Sequence, residues 1–325
     1  MRLFSTEQIS KYHPDKYADQ ISDAILTECL SQDKNSHCGI ETMVKDNTVV
    51  LGGEITTNAK VDYIEIVRRV AAKLGYTVDA VINLIGKQSN EINEAVTAEK
   101  KIGAGDQGIM FGMAINSPET EYMPKDFYYA KKLGKALFES KLGGLDIKTQ
   151  VVIDDLENVK KVIVAIPMKN DENLPAIKDI IRSIIPSCDY ELIINGTGKY
   201  VKHSSIGDCG TTGRKLAVDF YGGNCNVGGG SPWTKDGTKA DLTLNMYARK
   251  LALDYVKENN VPFAKVGIGC CIGKSEVDIT IWNEKNEVLK SYSKDVKPSE
   301  LIEMFNLKKP IFAKLCREGL FSEVK

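Results

Sequence analysis

The sequence lacks several features that would assign it at once to a class of protein. Its 325 residues carry a formal net charge of only −1, and its longest apolar segments, such as KVIVAIPM, are no longer than a strand. A balanced charge gives no reason to expect nucleic acid or an acidic membrane as a partner, and segments this short cannot cross a bilayer. The first ten residues also lack the apolar stretch of a secretory signal. We therefore expect a cytoplasmic protein with no nucleic-acid or membrane partner.

Metal-binding cysteine motifs are absent as well. The chain has eight cysteines but no CxxC pair, and it has only three histidines. A zinc site needs paired Cys or His spacings, so none is predicted. We expect reduced structural cysteines, as is usual in a reducing compartment. The remaining composition, 42% hydrophobic and 27% charged, is that of a globular protein long enough for two or three domains.

One order of elements recurs three times along the chain. A helix, a hairpin and a second helix begin near Asp15, near Lys125 and near Lys239. The interval of roughly a hundred residues is the size of a domain. Hairpins outnumber crossover connections, which argues against a doubly wound parallel sheet. We predict an α+β fold of three similar units, each an antiparallel sheet with helices on one face.

Glycine-rich stretches separate the three units, and the first of them contains GAGDQG at residues 103–108. These letters match the pattern G-x-G-x-x-G, which indicates dinucleotide binding only between a strand and a helix. Here the residues before it are charged, and the residues after it have the pattern of a strand. The sequence therefore does not predict a dinucleotide-binding site at this motif. Asp106 either faces a ligand, which the glycines would let approach closely, or belongs to a plain tight turn.

The second glycine-rich stretch contains GDCGTTGRK and GGGSPWTKDGTKAD. Asp208 precedes an adjacent Arg–Lys pair in the first motif, and Lys235 and Lys239 precede Asp241 in the second. Backbone amides freed by glycine can cradle phosphates, while lysines supply positive charge and an aspartate holds magnesium. Taken alone, a solvated turn explains the first motif equally well, and a flexible loop with surface lysines explains the second better.

Three ionisable side chains meet at the start of the first helix, in HPDKYADQISDAIL. Pro14 suits the first turn of a helix and Asp15 complements its dipole, but neither reason explains His13. Free N–H groups, an imidazole and a carboxylate together suit a metal-bound polyphosphate. With Glu41 and Glu54 on the first hairpin, the shared target that we predict is a nucleotide polyphosphate with a divalent metal.

The segments YHPDKYADQISDAIL, VLGGEITT, IGKQSNEIN, GAGDQGIMFG, GDCGTTGRK and GGGSPWTKDGTKAD occur together and in this order. Along almost the whole chain they resemble the S-adenosylmethionine synthetase (methionine adenosyltransferase) family. The resemblance implies a pseudo-threefold arrangement of domains at 1–91, 103–202 and 203–325, with a gating segment at 92–102 inside a mobile stretch from Ser89 to Lys101. It also implies dimers, or dimers of dimers, whose active sites are shared between subunits.

The reaction implied by this resemblance joins ATP and L-methionine. The methionine sulfur attacks the 5′-carbon of ATP in line and expels intact tripolyphosphate, which is then hydrolysed to pyrophosphate and phosphate. Negative charge accumulates on the departing chain, and prepositioned cations stabilise that state more than the ground state. The implied cofactors are Mg²⁺, two per site, and K⁺.

The resemblance also implies a role for each polar residue at a matching position. Metal ligands would be Asp15 and Asp241 for magnesium and Glu41 for potassium. Catalytic residues would be His13, Lys148, Arg214, Lys235 and Lys239. ATP would contact His13, Asp146, Lys148, Lys199, Tyr200, Asp208, Arg214, Lys215, Ser231 and Lys235. Methionine would contact Glu54, Gln88, Asp208 and Lys239, and Asp106 would lie in the wall of the site.

A few positions depart from the family pattern, namely Gly196, Tyr200, Val227, Leu242 and Glu91. Two of them lie on the adenine side, where a tyrosine ring can still stack on a base. These departures motivate one alternative, a non-catalytic homologue that binds ATP or S-adenosylmethionine. A second alternative is an unrelated ATP-using phosphotransferase, which would release ADP.

Overall fold

Three four-stranded sheets form the framework of the protein, seen in a computed structural model that describes residues 2–87, 104–187 and 189–324. The strands of these described ranges are β1 Leu3–Ile9, β2 His37–Lys45, β3 Thr48–Thr56, β4 Ala80–Gly86, β5 Gly108–Ile115, β6 Lys148–Asp154, β7 Val159–Ala165, β8 Glu191–Ile194, β9 Gly210–Thr211, β10 Phe263–Cys270, β11 Glu276–Trp282 and β12 Val288–Asp295.

Helices precede and follow each hairpin. Those described are α1 Pro14–Gln32, α2 Tyr63–Leu74, α3 Lys125–Ser140, α4 Leu174–Ile184, α5 Ser204–Gly207, α6 Leu216–Asp219, α7 Ala240–Asn259, α8 Pro298–Met304 and α9 Phe312–Glu318. Their ends follow local chemistry: the Asp62 carboxylate accepts the amides of Ile64 and Glu65 where α2 begins, and left-handed Gly75 ends it. In the described part of the chain, no helix combines the length and the apolarity that a membrane span requires.

Each sheet takes one strand from a neighbouring repeat. β1, which precedes α1, pairs with β6 of the central hairpin, and β5, which precedes α3, pairs with β10 of the third. β9, which precedes α7, completes the cycle by pairing with β2 of the first hairpin. This cyclic exchange relates the three repeats as a pseudo-threefold, so the predicted α+β fold of three similar units is confirmed. The exchanged strands cross the predicted divisions at 1–91, 103–202 and 203–325, which stay predictions.

The outer strands of the sheets go beyond what the sequence pattern predicts. β4 and β8 lie parallel to β3 and β7, because a helix carries the chain back across the sheet before each of them. β12 follows β11 through a short turn and is antiparallel to it. Most residues of β4 and β12 are exposed, so neither has the apolar alternation that marks a half-buried strand.

Two hydrophobic cores lie beneath the sheets. The larger one joins the first and third repeats, and includes Ile21, Leu51, Met246 and Ile268. The second belongs to the central repeat and is built around Leu133, Leu137, Val151 and Ile181. Seven cysteines fall in the described residues, and each of these is a free thiol.

Candidate functional site

The start of α1 is the most tightly built part of the predicted site. His13 is the N-cap residue, and its Nδ1 accepts the backbone N–H of Asp15 at 3.2 Å. β9 passes directly over this turn, and a β-carbon on Gly210 would lie 2.2 Å from the backbone carbon of Pro14. Only glycine permits this approach, which brings the GDCGTTGRK segment onto the helix start.

Asp15 connects that segment to the helix through its side chain. Its Oδ1 accepts the N–H of Thr211 at 2.8 Å, and its Oδ2 lies 2.5 Å from Nζ of Lys215. Burial by itself would raise the pKa of Asp15, but the hydrogen bonds from Lys215 and Thr211 outweigh it and hold the pKa below its ordinary value. The carboxylate is therefore ionised at neutral pH.

His13 is held in its neutral form. Burial, together with the positive charges of Lys215 and Lys148, lowers its pKa to about 4. A neutral imidazole has one N–H, and Nδ1 is occupied as an acceptor, so the proton resides on Nε2. The structure thus places an uncharged Nε2–H donor between two lysines.

The predicted nucleoside side lies next to Lys148. Asp146 is buried, and its Oδ2 accepts the backbone N–H of Ser204 at 2.8 Å, while Oδ1 is buried without a hydrogen-bond partner in the described residues. Burial raises the pKa of Asp146, and Asp208 adds its charge to the same neighbourhood. Burial and the charge of Asp146 also raise the pKa of Tyr200 to about 12. Lys148 and Asp208 thus act electrostatically on Asp146, and Asp146 acts on Tyr200; the roles expected of these residues stay predictions.

A cleft of about 450 Å³ opens beside this group. Arg214 and Lys215 line one side of it, and Ser5, Glu7 and Gln150 of the central sheet line another. Lys148 precedes Gln150 by two residues on β6 and so shares its face of the sheet. The volume falls within the range of small-ligand sites, and the lining is basic.

A second group forms where α7 begins. Nζ of Lys235 lies 2.5 Å from Oδ2 of Asp241, and a β-carbon on Gly230 would lie 2.0 Å from Oδ1 of the same carboxylate. Gly230 thus leaves room for Asp241, whereas Gly228 lies against the backbone of Ile109 and Gly229 has a left-handed φ of 96°. Lys239 is the N-cap residue of the helix. Glu54 lies two strand positions away from this group: its backbone pairs with Gly39 of β2, and the backbone of Gly39 forms a β-bridge with Lys235.

The residues around Thr212 connect the two groups. The hydroxyl of Thr212 donates to Glu41, while the neighbouring Thr211 amide donates to Asp15. Glu41 itself is exposed on β2, and the Thr212 hydroxyl is its hydrogen-bond donor. Ser231 packs against Gly213 of this segment.

Some predicted residues stand apart from these groups. Lys199 forms an exposed ion pair of 2.7 Å with Asp171. Asp106 is exposed, and its backbone oxygen faces the thiol of Cys270. Gln88, Glu91 and the predicted gating segment lie outside the described residues. Their expected roles stay predictions.

Several buried polar residues of the site were not predicted from the sequence. Asp19 and Asp23 on α1, Lys16 beside them, and Asp219 and Trp233 from later segments form a connected network below the two groups. Asp15, Asp19 and Asp23 recur every four residues, which places them on one face of a helix. That spacing is the signal that could have indicated them.

Comparison with known proteins identifies the family. Family models match the chain almost from end to end: the N-terminal domain of S-adenosylmethionine synthetase over residues 1–99, the central domain over 101–200 and the C-terminal domain over 203–325. The chain belongs to the S-adenosylmethionine synthetase family. Membership makes it an enzyme of the transferase class, and the resemblance stated from the sequence motifs is confirmed.

A solved structure agrees with this assignment. The structure described as that of an unusual S-adenosylmethionine synthetase from Campylobacter jejuni superposes with a TM-score of 0.86 at 30% sequence identity. The match covers 100% of this chain and 96% of the other. The order of the three S-adenosylmethionine synthetase domains is therefore accompanied by the same three-dimensional arrangement.

Proposed function

We propose that this member of the family makes S-adenosylmethionine by attack of the methionine sulfur on the 5′-carbon of ATP. The sulfur lone pair forms the new S–C bond, and the electrons of the breaking C–O bond leave with the whole tripolyphosphate. The same site then hydrolyses that product to pyrophosphate and phosphate. The observation that carries the proposal is the meeting of His13 and Lys215 at the buried carboxylate of Asp15, beside a cleft that Arg214 and Lys215 line. The charge of Lys148 is close enough to His13 to lower the pKa of its ring.

The cations of the site act on the leaving group. Negative charge grows on the bridging oxygen and the phosphate chain as the C–O bond breaks. We assign Arg214, Lys215 and Lys235 to that chain because two of them line the cleft and all three stand on glycine-rich segments. Cations already in place stabilise the separating charge without reorganising during the step.

His13 has a distinct part in this scheme. Its neutral ring, with the proton on Nε2, would donate a hydrogen bond to the bridging oxygen beside Lys148. Such a bond strengthens as charge develops on that oxygen, so it lowers the barrier more than it tightens substrate binding. A cationic imidazole would instead bind the ground-state phosphates strongly as well.

The carboxylates fit the metals expected of a generally metal-dependent family. Asp15 and Asp241 would each bind a magnesium ion, and Glu41 with the Thr212 hydroxyl would bind potassium. Within the described ranges, no three His, Cys, Asp or Glu side chains form a metal site by themselves. Magnesium suits such places because one or two carboxylates and the substrate's phosphates complete its shell. When bound, it neutralises charge on the phosphate chain.

The other predicted residues would hold the two substrates. The free Oδ1 of Asp146 is suited to accept a ribose hydroxyl, and the ring of Tyr200 to stack on adenine. Glu54, Gln88 and Lys239 would hold the methionine, with Asp208 between methionine and ribose. We further propose dimers, or dimers of dimers, with shared sites. The exposed apolar side chains of Ile82 and Leu84 on β4 are suited to such a contact.

The experiment is a turnover assay with product identification. Purified protein given ATP, methionine, Mg²⁺ and K⁺ is expected to yield S-adenosylmethionine with equal amounts of pyrophosphate and phosphate. Lys235→Met should lower kcat strongly with thermal unfolding little changed, since the lost stabilisation belongs to the transition state. His13→Ala should lower kcat strongly too, and it should also lower the melting temperature because His13 is buried and caps α1. Lys135→Met, an exposed change on α3, is the matched control.

Three outcomes would contradict the proposal. Release of ADP would indicate a phosphotransferase, and binding of a non-hydrolysable ATP analogue without turnover would indicate a non-catalytic homologue. Near-normal kcat in both site variants would show that the role assignment is wrong.

A further inference from the structure

Three aspartates on one face of α1 each accept a backbone N–H from a distant segment. Asp15 accepts that of Thr211 at 2.8 Å, Asp19 that of Gly213 at 3.0 Å, and Asp23 that of Thr234 at 2.8 Å. We call Asp15, Asp19 and Asp23 the aspartate ladder. Asp19 and Asp23 are fully buried, so the ladder continues well below the surface where Asp15 faces the site.

The amides held by the lower part of the ladder stand next to the predicted phosphate-binding cations. Gly213 immediately precedes Arg214, and Thr234 immediately precedes Lys235. Each aspartate therefore fixes the backbone one residue away from a cation. The two cations come from different glycine-rich segments, and α1 is the element that both segments contact through these bonds.

The backbone conformation at the two held residues is unusual. Gly213 has a φ of 71° and Thr234 a φ of 74°, both in the left-handed region. Glycine adopts this region freely, but a β-branched residue such as threonine does so only when its surroundings impose it. Oδ1 of Asp23 accepts the Thr234 amide in that conformation, and the Thr234 carbonyl accepts the amide of Ile40 at 3.3 Å.

Lys16 connects the ladder to two residues that follow the predicted phosphate-binding Lys215, namely Asp219 and Trp233. Its Nζ lies 2.9 Å from Asp19 and 2.7 Å from Asp219, and the ammonium stands 4.5 Å from the centre of the Trp233 ring. Asp219 ends α6, whose N-cap residue is Lys215, and it also accepts the indole N–H of Trp233 at 2.7 Å. The segments that carry Lys215 and Lys235 are thus connected to each other as well as to α1.

We propose that Asp19 and Asp23 are positioning residues, which set Arg214 and Lys235 at the spacing that the departing tripolyphosphate requires. They act through the Gly213 and Thr234 amides and touch no substrate. This inference rests on the proposed function, because that proposal assigns the two cations to the phosphate chain. If the ladder were purely structural, the loss of one of its hydrogen bonds would lower only stability. If it positions the cations, the same loss lowers kcat in a variant that still folds.

The test compares four variants of the full-length protein. Asp19→Ala and Asp23→Ala remove a ladder acceptor, whereas Asp23→Asn keeps an oxygen for the Thr234 amide. Asp154→Ala is the matched control, since Asp154 is also buried and accepts backbone amides, of Leu156 and Asn158, at the far end of β6 from Lys148. The measurements are kcat, the KM for methionine, the affinity for inorganic tripolyphosphate and the melting temperature.

Both alanine variants on α1 are expected to lower kcat on the order of 10–100-fold, because a misplacement of about 1 Å has that effect. They should weaken tripolyphosphate binding about tenfold and leave the KM for methionine within about twofold. Asp23→Asn should stay within about threefold of the wild type in kcat, since the acceptor is kept. Asp154→Ala should lose melting temperature but keep both kcat and tripolyphosphate affinity.

The inference is overturned if the folded alanine variants keep kcat and tripolyphosphate affinity, or if Asp154→Ala loses both as they do. If Asp23→Ala does not fold, Asp23→Ala combined with Thr234→Gly removes the strained residue. Recovery of folding in that double variant with kcat still low supports positioning, and recovery of full kcat overturns it. If the wild-type protein shows no turnover, the proposed function is refuted. The inference about the ladder is then tested by tripolyphosphate affinity alone: equal affinity of the wild type and the alanine variants would overturn it.

Discussion

The helices α1 and α3 occupy equivalent places in two repeats, and yet their buried faces are opposite in character. α1 buries most of its 19 residues, including Asp15, Lys16, Asp19 and Asp23. α3 buries a single aspartate, Asp126, in its first turn; the rest of its buried face is an apolar stripe, and three of its lysines are exposed. The stripe consists of Phe127, Ala130, Leu133 and Leu137, and the exposed lysines are Lys131, Lys132 and Lys135. Under the function proposed above, the same position in the fold would serve catalysis in one repeat and packing in the other.

The difference shows where the repeat architecture has been adapted to chemistry. An apolar stripe such as that of α3 stabilises the fold in proportion to the area it buries. A buried row of aspartates adds little to the free energy of unfolding unless each one is paired or hydrogen-bonded. Stability alone therefore does not explain such a row. Its presence on α1 is better explained by the need to hold cation-bearing segments.

The largest effect is expected from Lys16→Met. The methionine keeps an apolar stem against Trp233 but leaves Asp19 and Asp219 facing each other without a cation. Removing one partner of a buried ion pair lowers the unfolding free energy by about 3–5 kcal/mol. We expect kcat to fall as well, because the helix that begins after Lys215 loses its ion pair with α1. Urea unfolding and turnover measurements check both effects.

A surface lysine of α3 is the control for that variant. Lys135 is 76% exposed and lies 4.0 Å from Glu139, so Lys135→Met should change the unfolding free energy by no more than about 0.5 kcal/mol. Equal stability of Lys16→Met and Lys135→Met would show that the buried charges of α1 are not energetically coupled.

Leu133→Ala tests the role of the buried apolar stripe on α3. Leu133 is fully buried in the core of the central repeat, and its truncation should lower the unfolding free energy by about 2–5 kcal/mol. Because α3 carries no predicted site residue, kcat of the folded enzyme should not change. A fall in kcat at temperatures where the variant is fully folded would contradict the division of roles between the two helices.

The last effect concerns pH and the proton of a single carboxyl group. Burial raises the pKa of Asp23 to about 8 from its ordinary 3.8, so the folded protein holds a proton that the unfolded chain releases. The unfolding free energy should therefore fall as pH rises from about 4 to about 8, by at most about 1.4 kcal/mol per pH unit for one proton.

Asp23→Asn cannot titrate and should flatten this dependence between pH 6 and pH 8. Denaturant unfolding at several pH values measures the slope for both proteins. Identical slopes for the two would mean that Asp23 is ionised in the folded state.

Local patterns predicted most of the fold's elements and many residues of the site. Apolar periodicity and the repeated order of elements predicted the helices α1, α2, α3, α4, α7 and α8, but not the one-turn helices α5 and α6. Motifs such as HPDK and GDCGTTGRK predicted His13, Asp15 and Lys215 as site residues. β4, β8 and β12 could not be predicted in this way, because outer strands expose most of their side chains or, like β8, are very short.

By itself, the sequence determined the number of repeats, the family and the types of side chain available to bind a phosphate chain. These properties depend on short motifs and on spacings within one element. Only the tertiary structure decided which strand completes which sheet, and that the ladder of α1 holds amides some two hundred residues away. Helical periodicity places three aspartates on one face, but the donors that they meet depend on how the chain closes, which no local pattern encodes.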